Sequence, residues 1–357
     1  MFIFANILQL PCLSAEYKKA LPGYRFQFPR DHASHDQFKT EWWYYTGHLK
    51  SKSGKDYGFE LTFFRVGLDP DIDTSRKAWS LKNVYLAHFA VSDLAGKKFI
   101  YSQKLNRSGL NVAGARSDIP YVFNELWSMK FLGEKVILTA RDKGYAIDLI
   151  LSPEKKPVVH GVDGVSQKAS CKGCASHYYS MTRLKAEGII FVDGKSETVS
   201  GQAWMDHEFG SNQLTEEQTG WDWFSIQLDN SEEIMLYVMR RKDGTIDVNS
   251  SGTIVFKDGS SLHLTKNQFQ IENKKIWKST KTGGAYPVVW KVSIPSRKIE
   301  LRLVSYMEDQ ELVTKELTGV VYWEGAVSVE GNVADKTVKG KAYVEMTGYA
   351  EPFKQRI

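Results

Sequence analysis

The sequence predicts an all-β fold in which two antiparallel β-barrels follow one another along the chain. Short stretches of alternating polar and apolar residues recur from one end to the other. Tight-turn residues separate these stretches, and no window of a dozen residues shows the 3.6-residue period of a capped helix. The length of 357 residues suits two domains of ordinary size, each able to bury its own core.

The predicted strands are the stretches whose alternation turns one face towards a core. Asp193-Gly194 and Asp258-Gly259 lie between such stretches, as hairpin turns require. Many short, evenly spaced strands are typical of barrels or sandwiches, and closure into barrels removes the exposed edges. The predicted strands are Glu41 to Leu49, Tyr57 to Val66, Asn83 to Asp93, Glu134 to Ala140, Tyr145 to Leu151, Ile189 to Asp193, Glu233 to Arg241, Thr253 to Phe256, Ser261 to Thr265, Val288 to Ile294, Lys298 to Val304, Tyr322 to Glu330 and Lys339 to Thr347.

A faint internal repeat indicates two related halves. Trp42 opens a strand, and the next alternating strand ends at Arg65. Trp221 opens a second strand, and its successor ends at Arg240. The offsets are similar, 221 − 42 = 179 for Trp and 240 − 65 = 175 for Arg. The repeat therefore predicts that the two halves of the chain are related.

The chain is predicted to divide into three segments. Residues 1–15 resemble the later part of a secretory signal, because they are apolar up to Ser14 and end in small residues, although they lack a positive leading region. A buried strand is the alternative. We place the N-terminal barrel at residues 22–212 and the C-terminal barrel at residues 213–357, joined by the polar run SNQLTEEQTG. We therefore expect a secreted or periplasmic protein.

Cysteine usage agrees with export. Removal of residues 1–15 would leave Cys171 and Cys174, an even pair with the spacing C-x-x-C. A small-loop disulfide, free structural thiols, and metal or redox chemistry all remain open for this pair. A zinc site would need two more ligands, of which only His177 has a plausible spacing.

The composition of the chain indicates which classes of binding partner to expect. The net charge of +5 is small, and Lys and Arg are scattered among acids, so we expect no nucleic acid. No apolar run reaches the roughly 18 to 20 residues of a transmembrane helix. Aromatic residues make up 13% of the chain, which indicates that some rings line a cavity inside a barrel, where a hydrophobic small molecule binds. An association with a membrane surface or a transporter is a further expectation.

The absence of several sequence motifs argues against some classes of enzyme. The sequence lacks G-x-S-x-G, a phosphate-binding glycine loop, G-x-G-x-x-G after a strand, and H-E-x-x-H. These absences argue against a serine hydrolase, a nucleotide enzyme and a zinc protease. We predict no metal and no cofactor.

The first cluster of candidate site residues is EWWYYTGH, residues 41–48. On a strand, Glu41, Trp43 and Tyr45 share one face, while Trp42 and Tyr44 share the other. We predict that Glu41, Trp43 and Tyr45 contact the substrate. The alternative is a barrel strand with aromatic residues packed on both sides.

The second cluster is GQAWMDHEFG, residues 201–210. Alternation places Asp206 and Glu208 on one side and His207 on the other. Paired carboxylates can supply a protonated acid near neutral pH, and an imidazole can shuttle protons. We predict catalytic roles for these three residues and substrate binding by Trp204. A solvated loop after a strand is the alternative.

The third cluster places an acid between two indoles, in Trp221-Asp222-Trp223. Arg240 could neutralise Asp222, and indole faces stabilise cations by about 0.5 to 2 kcal/mol each. We predict a catalytic role for Asp222. The alternative is a core strand with an exposed Asp. The predicted substrate-binding residues that belong with this cluster are Trp221, Trp223, Arg240, Trp323 beside Glu324, and Arg65 as a counter-ion.

Several longer motifs carry a family resemblance. TEWWYYTGHL, YGFELTFFR, SHYYSMTRL, GQAWMDHEFG, WDWFSIQL, YWEGAV and AYVEMTGY follow in order from about Tyr24 to Tyr349. They resemble the family of carotenoid 1,2-hydratases (hydroxyneurosporene synthases) and AttH-like secreted proteins. The resemblance implies two lipocalin-like barrels in tandem, a fold also similar to that of certain fungal Diels-Alderases acting on polyenes.

The resemblance also implies a chemistry. The hydratases add water across a terminal isoprenoid double bond, through acid protonation and capture of a tertiary carbocation by water. His207 in DHEFG matches the family's His, and Tyr237 in LYVMR matches a family Tyr, which gives Tyr237 a catalytic assignment. Tyr179 in SHYYSMTRL is assigned to substrate binding. Phe209 stands where the hydratases carry Trp.

One departure from the hydratase pattern leaves two functions open. Met239 stands where the hydratases carry an essential Asp, so the acid would have to be Asp206, Glu208 or Asp222. The chain is therefore closer to the AttH-like branch. Two functions follow as expectations. One is hydration of an apolar isoprenoid, with His207 as proton shuttle. The other is non-catalytic carriage of a hydrophobic ligand in the cell envelope.

Overall fold

The computed structural model describes residues 16–70, 81–212, 214–317 and 319–353. Within them the chain forms two antiparallel sheets and three short 3-10 helices, Arg30–His32, Lys266–Gln268 and Pro295–Arg297. The signal-like segment, residues 1–15, lies outside the described residues, so export stays a prediction. The predicted all-β class is confirmed.

The first sheet contains thirteen strands and curls into a nearly closed barrel. Its strands are β1 (Thr40–Ser51), β2 (Asp56–Gly67), β3 (Asn83–Asp93), β4 (Lys98–Arg107), β5 (Ala113–Ala115), β6 (Tyr121–Asn124), β7 (Trp127–Leu132), β8 (Lys135–Asp142), β9 (Tyr145–Pro153), β10 (Val158–Val159), β11 (Ser166–Gln167), β12 (Ala175–Val192) and β13 (Lys195–Asn212). The order is β4-β3-β2-β1-β13-β12-β9-β8-β7-β6-β5, with β10 and β11 paired to β12. A bridge between Gly109 and Ala113 brings the two ends of this path together.

The second sheet contains ten strands and repeats this plan. Its strands are β14 (Gln218–Leu228), β15 (Glu233–Arg241), β16 (Ser251–Val255), β17 (Ser261–Thr265), β18 (Gln270–Lys278), β19 (Ala285–Ile294), β20 (Ile299–Ser305), β21 (Glu311–Thr314), β22 (Val320–Val333) and β23 (Lys336–Thr347). The order is β17-β16-β15-β14-β23-β22-β20-β19-β18, with β21 paired to β22. In both sheets the first hairpin therefore pairs with the last strand.

Every predicted strand lies within an observed one to within a residue at either end. Alternation failed to find β4 and β18, whose residues are mostly half-buried or exposed on both faces, and it missed β5, β6, β7, β10, β11 and β21, which have two to six residues each. It found only the end of β12, and it left open whether residues 201–210 were a loop, whereas they belong to β13. The predicted domain limits stay a prediction, although β13 ends at Asn212 and β14 begins at Gln218.

The weak sequence repeat corresponds to a repeated ion pair. Glu41 on β1 lies directly opposite Arg65 on β2, with Arg65 Nε 3.1 Å from the carboxylate. Arg240 Nε on β15 lies 3.1 Å from Asp222 on β14. Both pairs point into the interior of their own barrel, and Arg240 lies within reach of Asp222, where the sequence predicted a counter-ion.

Alternate side chains of the central strands fill the two barrel interiors. Trp43, Phe59 and Leu138 belong to the buried apolar cluster of the first barrel. Phe224 and Trp323 belong to that of the second. At about 25 cal/mol per Å² of apolar surface removed from water, these clusters supply the main stabilisation of each barrel.

The opposite faces of the same strands pack against each other. We call this buried layer between the two sheets the seam; rings meet across it, such as Tyr44 and Trp223 at 5.1 Å between centroids. The central strands therefore have a barrel interior on one face and the seam on the other, so nearly every residue along them is buried. The apolar members of the seam are Tyr44, Leu94, Tyr178, Trp204, Trp223, Met235, Tyr237, Met239, Met307, Ala326 and Tyr343.

A buried ionic cluster joins the sheets at one edge of the seam. Glu233 on β15 accepts hydrogen bonds from Lys155 Nζ at 2.7 Å and Arg183 Nε at 2.5 Å, both from the first half of the chain. The Glu233 side chain is fully buried, and those of Lys155 and Arg183 are 7% and 15% exposed. The two cations therefore depend on one carboxylate for neutralisation.

We expect Glu233→Gln to lower the free energy of unfolding by about 3 kcal/mol, because it leaves two largely buried cations without their counter-charge. Urea denaturation followed by tryptophan fluorescence measures the change. Glu330→Gln, which breaks the exposed pair with Arg302, is the control and should leave stability nearly unchanged. Equal stability of the two variants would contradict a role for Glu233 in joining the barrels.

Candidate functional site

The seam encloses a cavity of about 200 Å³. Both sheets line it, so the cavity lies between the barrels, whereas the sequence-based expectation placed the ligand within one. Apolar side chains fill the interiors of the two barrels. Aromatic and acidic side chains lie together in the seam. The aromatic lining consists of Trp42, Tyr44, Phe64 and Tyr178 from the first half and Trp221, Trp223, Tyr237, Tyr322 and Phe353 from the second.

Strand alternation selects which side chains reach this cavity. On β13, Asp206 and Glu208 line it, whereas His207 points into the first barrel, as the alternation predicts. On β14, Trp221 and Trp223 line it, whereas Asp222 points into the second barrel. The cavity wall is therefore built from every second residue of the central strands.

Asp206 is held by three side-chain donors. Tyr178 OH donates at 2.6 Å, Trp204 Nε1 donates at 2.7 Å, and Ser180 Oγ is the third donor. Trp223 Nε1 in turn donates to Tyr178 OH at 3.0 Å, which joins the two sheets. Burial raises the pKa of Asp206 to about 7, even though the three donors act in the opposite direction.

Lys168 brings a positive charge to the wall beside Glu208. Its Nζ lies 3.0 Å from Glu208 Oε1 and 4.0 Å from the ring centroid of Tyr237. Burial acts to lower the pKa of Lys168, but Glu208, Tyr237 and Asp206 together outweigh it, so the pKa is raised. Ser176 Oγ donates to the same carboxylate. This part of the wall is an ion pair on an aromatic surface.

Glu345 has a different environment on the opposite wall. Within the described part of the chain it receives one side-chain hydrogen bond, from Trp221 Nε1 at 3.1 Å. Burial raises the pKa of Glu345 to about 7, and the negative charges of Asp206 and Glu208 act in the same direction. A half-buried carboxyl group with one donor and acidic neighbours holds its proton near neutral pH.

Two more acids lie deeper in the seam. Tyr44 OH donates to Glu324 Oε1 at 2.7 Å, and Thr62 Oγ1 donates to Glu60. Burial raises the pKa of Glu60 to about 8, and burial together with Glu345 and Glu60 raises the pKa of Glu324 well above its usual range. Four acids of the seam thus have raised pKa values, namely Asp206, Glu345, Glu60 and Glu324, whereas Glu208 pairs with Lys168.

The arrangement can be compared with known proteins. The family model of AttH-like proteins matches residues 19–349. This chain belongs to the AttH-like family. A search of curated proteins finds no match for this AttH-like chain.

Solved structures share the fold of this AttH-like protein. An AttH protein of Nitrosomonas europaea is 30% identical with a TM-score of 0.84, covering 93% of this chain and 99% of its own. Kievitone hydratase from Nectria haematococca is 17% identical with a TM-score of 0.71, covering 95% and 98%. CghA is 11% identical with a TM-score of 0.58, covering 96% and 99%. The last two likenesses concern the fold alone.

The predicted site residues of this AttH-like protein divide between three places. The set in the seam comprises Asp206, Glu208, Tyr237, Trp204, Trp221 and Trp223. The set whose functional groups lie inside the first barrel comprises His207, Glu41, Trp43, Tyr45, Arg65 and Tyr179. The set inside the second barrel comprises Asp222, Arg240 and Trp323.

The two inward sets correct the expectation of one common site. His207 hydrogen-bonds with Glu41 at 2.8 Å and Tyr179 at 3.1 Å, on the far side of β13 from Asp206. Asp222 contacts Arg240 and Tyr349 on the far side of β14 from Trp221. A shuttle at His207 or an acid at Asp222 would therefore be separated from the cavity by a strand, because adjacent residues face opposite ways. Glu41 and Arg65 border the cavity, but their charges are turned inward.

Sequence reasoning did not assign Glu345, Lys168, Tyr178, Tyr44 or Trp42 to the site. Glu345 had a readable signal, because Tyr343, Glu345 and Thr347 share one face of a predicted strand. Trp42 and Tyr44 needed the knowledge that the outer face of β1 is buried. Lys168 lies just after β11 in an irregular segment that carries no period.

The C-x-x-C pair forms a disulfide, with Cα atoms 5.3 Å apart. It lies in the segment that brings Lys168 to the cavity wall. Lys168 N donates to the Cys174 carbonyl at 2.9 Å, and Tyr237 OH donates to the Gln167 carbonyl at 2.9 Å. The disulfide therefore secures part of the cavity wall.

We expect the stability of this AttH-like protein to depend on Glu345 between pH 5 and 8. Its folded pKa of about 7 lies above the usual 4.5, so folding favours the protonated form and stability falls as pH rises from about 4.5 to 7. Glu345→Gln removes that loss. The unfolding free energy of the variant minus that of wild type should therefore be about 2 kcal/mol larger at pH 8 than at pH 5. Urea denaturation at both pH values measures the difference. An unchanged difference between Glu345→Gln and wild type at the two pH values would contradict a proton on Glu345.

Proposed function

We propose that this AttH-like protein binds an apolar small molecule in the seam cavity and adds water to a double bond, with Glu345 as the proton donor. The observation that carries the proposal is a carboxyl group with a pKa of about 7 on the wall of an aromatic cavity. General acids work best when their pKa lies near the operating pH. The fold shared with kievitone hydratase supports the same reaction class.

The proposed step begins with proton transfer from the Glu345 carboxyl group to one carbon of the double bond. The π-electron pair forms the new C–H bond, and the other carbon becomes a tertiary carbocation. A water oxygen attacks this cation and forms the C–O bond. The proton that the water loses returns to the Glu345 carboxylate, so one side chain closes the cycle and the product is a tertiary alcohol.

The rest of the wall stabilises the cation and orients the water. The faces of Trp42, Trp221 and Trp223 are apolar surfaces with negative potential, each worth about 0.5 to 2 kcal/mol to a nearby cation. Asp206 and Glu208 accept hydrogen bonds and present oxygen atoms to a water molecule. A cavity of about 200 Å³ suits the branched end of an isoprenoid, the remainder of which would extend towards solvent.

The decisive experiment incubates the protein with an acyclic carotenoid or a shorter terminal isoprenoid in ¹⁸O-labelled water. Mass spectrometry should detect a product that has gained one labelled water. Glu345→Gln should lower the rate at least 100-fold, which is the low end of general acid catalysis. The wild-type rate should fall about tenfold per pH unit above pH 7, because only protonated Glu345 can donate.

Glu330→Gln, an exposed change in the second barrel, is the matched control and should keep the wild-type rate. Lack of product with every isoprenoid tested, or equal rates for Glu345→Gln and wild type, would exclude this reaction.

A second candidate function rests on Met239. This side chain lines the cavity at the position where the hydratases carry an essential Asp. A thioether cannot donate a proton and adds apolar, polarisable surface. These properties favour a non-catalytic carrier that holds a hydrophobic ligand in the cell envelope.

The carrier function predicts that natively purified protein contains a hydrophobic molecule, identifiable by solvent extraction and mass spectrometry. Rebinding should quench tryptophan fluorescence, because Trp42, Trp221 and Trp223 line the cavity. Glu345→Gln should then change affinity less than about tenfold and leave the ligand chemically unchanged. An empty extract together with no quenching by any lipid tested would refute the carrier.

A further inference from the structure

The interior of the first barrel brings together two imidazoles and a carboxylate that the seam cavity does not use. Glu41 Oε1 lies 2.8 Å from His35 Nδ1 and 2.8 Å from His207 Nε2. One possible ligand atom of each residue lies within 4.8 Å of the other two, and all three residues are buried. The sequence singled out Glu41 and His207 for other roles and did not single out His35.

These three atoms form one compact donor set. His35 comes from the segment just after the first 3-10 helix, Glu41 from β1 and His207 from β13. Two imidazole nitrogens and one carboxylate oxygen are the ligands of three-ligand zinc sites that keep a fourth position open for water. Imidazole with carboxylate suits zinc and its first-row neighbours better than calcium or magnesium, which prefer oxygen ligands alone.

The surrounding contacts match those that orient metal ligands in proteins. The other nitrogen of His35, Nε2, lies 3.4 Å from Asp31 Oδ1. The other nitrogen of His207, Nδ1, lies 3.1 Å from Tyr179 OH. Arg65 Nε donates to the second oxygen of Glu41 at 3.1 Å. Each candidate ligand thus has its remaining polar atom engaged, while the three converging atoms contact one another, and an ion would replace the two hydrogen bonds between them.

The rings are also held in place by packing. His35 stacks on Phe209, with ring centroids 3.6 Å apart and an interplanar angle of 9°. His207 stacks on Trp43 at 4.8 Å. The side chains of Glu41 and His207 are fully buried, whereas that of His35 is 7% exposed, so an ion would enter from the His35 side. Little rearrangement is needed to bring the three atoms onto one centre.

We propose that His35, Glu41 and His207 form a binding site for a divalent transition-metal ion of the zinc class inside the first barrel. Asp31, Tyr179 and Arg65 are positioning residues, because each holds a ligand and does not face the ion directly. The site is on the opposite side of β1 and β13 from the seam cavity, so it is independent of the proposed hydration.

The competing explanation is a hydrogen-bonded network without a metal. In that case the Glu41 carboxylate, with Arg65 as counter-ion, accepts hydrogen bonds from both imidazoles and only orders the end of the barrel. The two explanations differ in the response of the intact protein to metal. A pure network has no reason to take up one equivalent of zinc or cobalt.

The first test uses the full chain, treated with a chelator and dialysed, then titrated with Zn²⁺ and Co²⁺. We expect one tightly retained zinc per chain by elemental analysis, a rise in melting temperature with Zn²⁺, and visible d–d absorption with Co²⁺. Failure of wild type to retain zinc, with no cobalt spectrum, would falsify the metal site whatever the variants do.

The second test assigns the ligands. His35→Ala and His207→Ala should each weaken Zn²⁺ binding at least 100-fold, and Asp31→Asn should weaken it by about 10- to 100-fold while keeping the cobalt spectrum. His177→Ala is the matched control, because its ring lies 5.3 Å from Phe209 but its Nδ1 contacts the Gly164 carbonyl outside the donor set. If His177→Ala lowers affinity as much as His35→Ala, the assigned ligands are wrong.

Discussion

Burial of both faces of the central strands is the constraint on which the rest of this structure depends. Strands β1, β13, β14 and β23 each fill a barrel interior with one face and the seam with the other. Neighbouring residues along these strands therefore point into different spaces. Asp206, for example, points into the seam, and His207 points into the first barrel. A shift of one residue in register would exchange the two sets completely, so the apolar interiors also fix the chemistry of the seam.

The interior of the first barrel and the seam shift the pKa values of Glu41 and Glu345 in opposite directions. Inside the first barrel, burial works against ionisation of Glu41, but Arg65 and hydrogen bonds from His207 and His35 outweigh it and hold the pKa well below the usual range. In the seam, Glu345 has acidic neighbours and one described side-chain donor, and burial prevails. Glutamate is thus a fixed anion at Glu41 and a neutral acid at Glu345, because Arg65 contacts Glu41 whereas the cation of the seam, Lys168, pairs with Glu208.

Much of this could be predicted from the sequence, and the failures have physical reasons. A period of two located the strands and separated Asp206 and Glu208 from His207. It could not reveal that the outer faces of two barrels pack together, because that contact joins residues such as Tyr44 and Glu324, which are far apart in the chain. For the same reason it placed the ligand inside a barrel, and it missed Lys168, which reaches the wall from an irregular segment.

An acid–arginine pair, Glu41 with Arg65 and Asp222 with Arg240, joins the first hairpin of each half, and the two halves share one strand plan. The chain therefore resembles a dimer whose subunits have been fused, and its cavity occupies what would be the subunit interface. Each half supplies walls that the other lacks: Asp206 and Glu208 from one, Glu345 and Trp221 from the other. Sequence divergence between the halves can consequently alter two unlike surfaces of a single chamber independently, which symmetric subunits could never do.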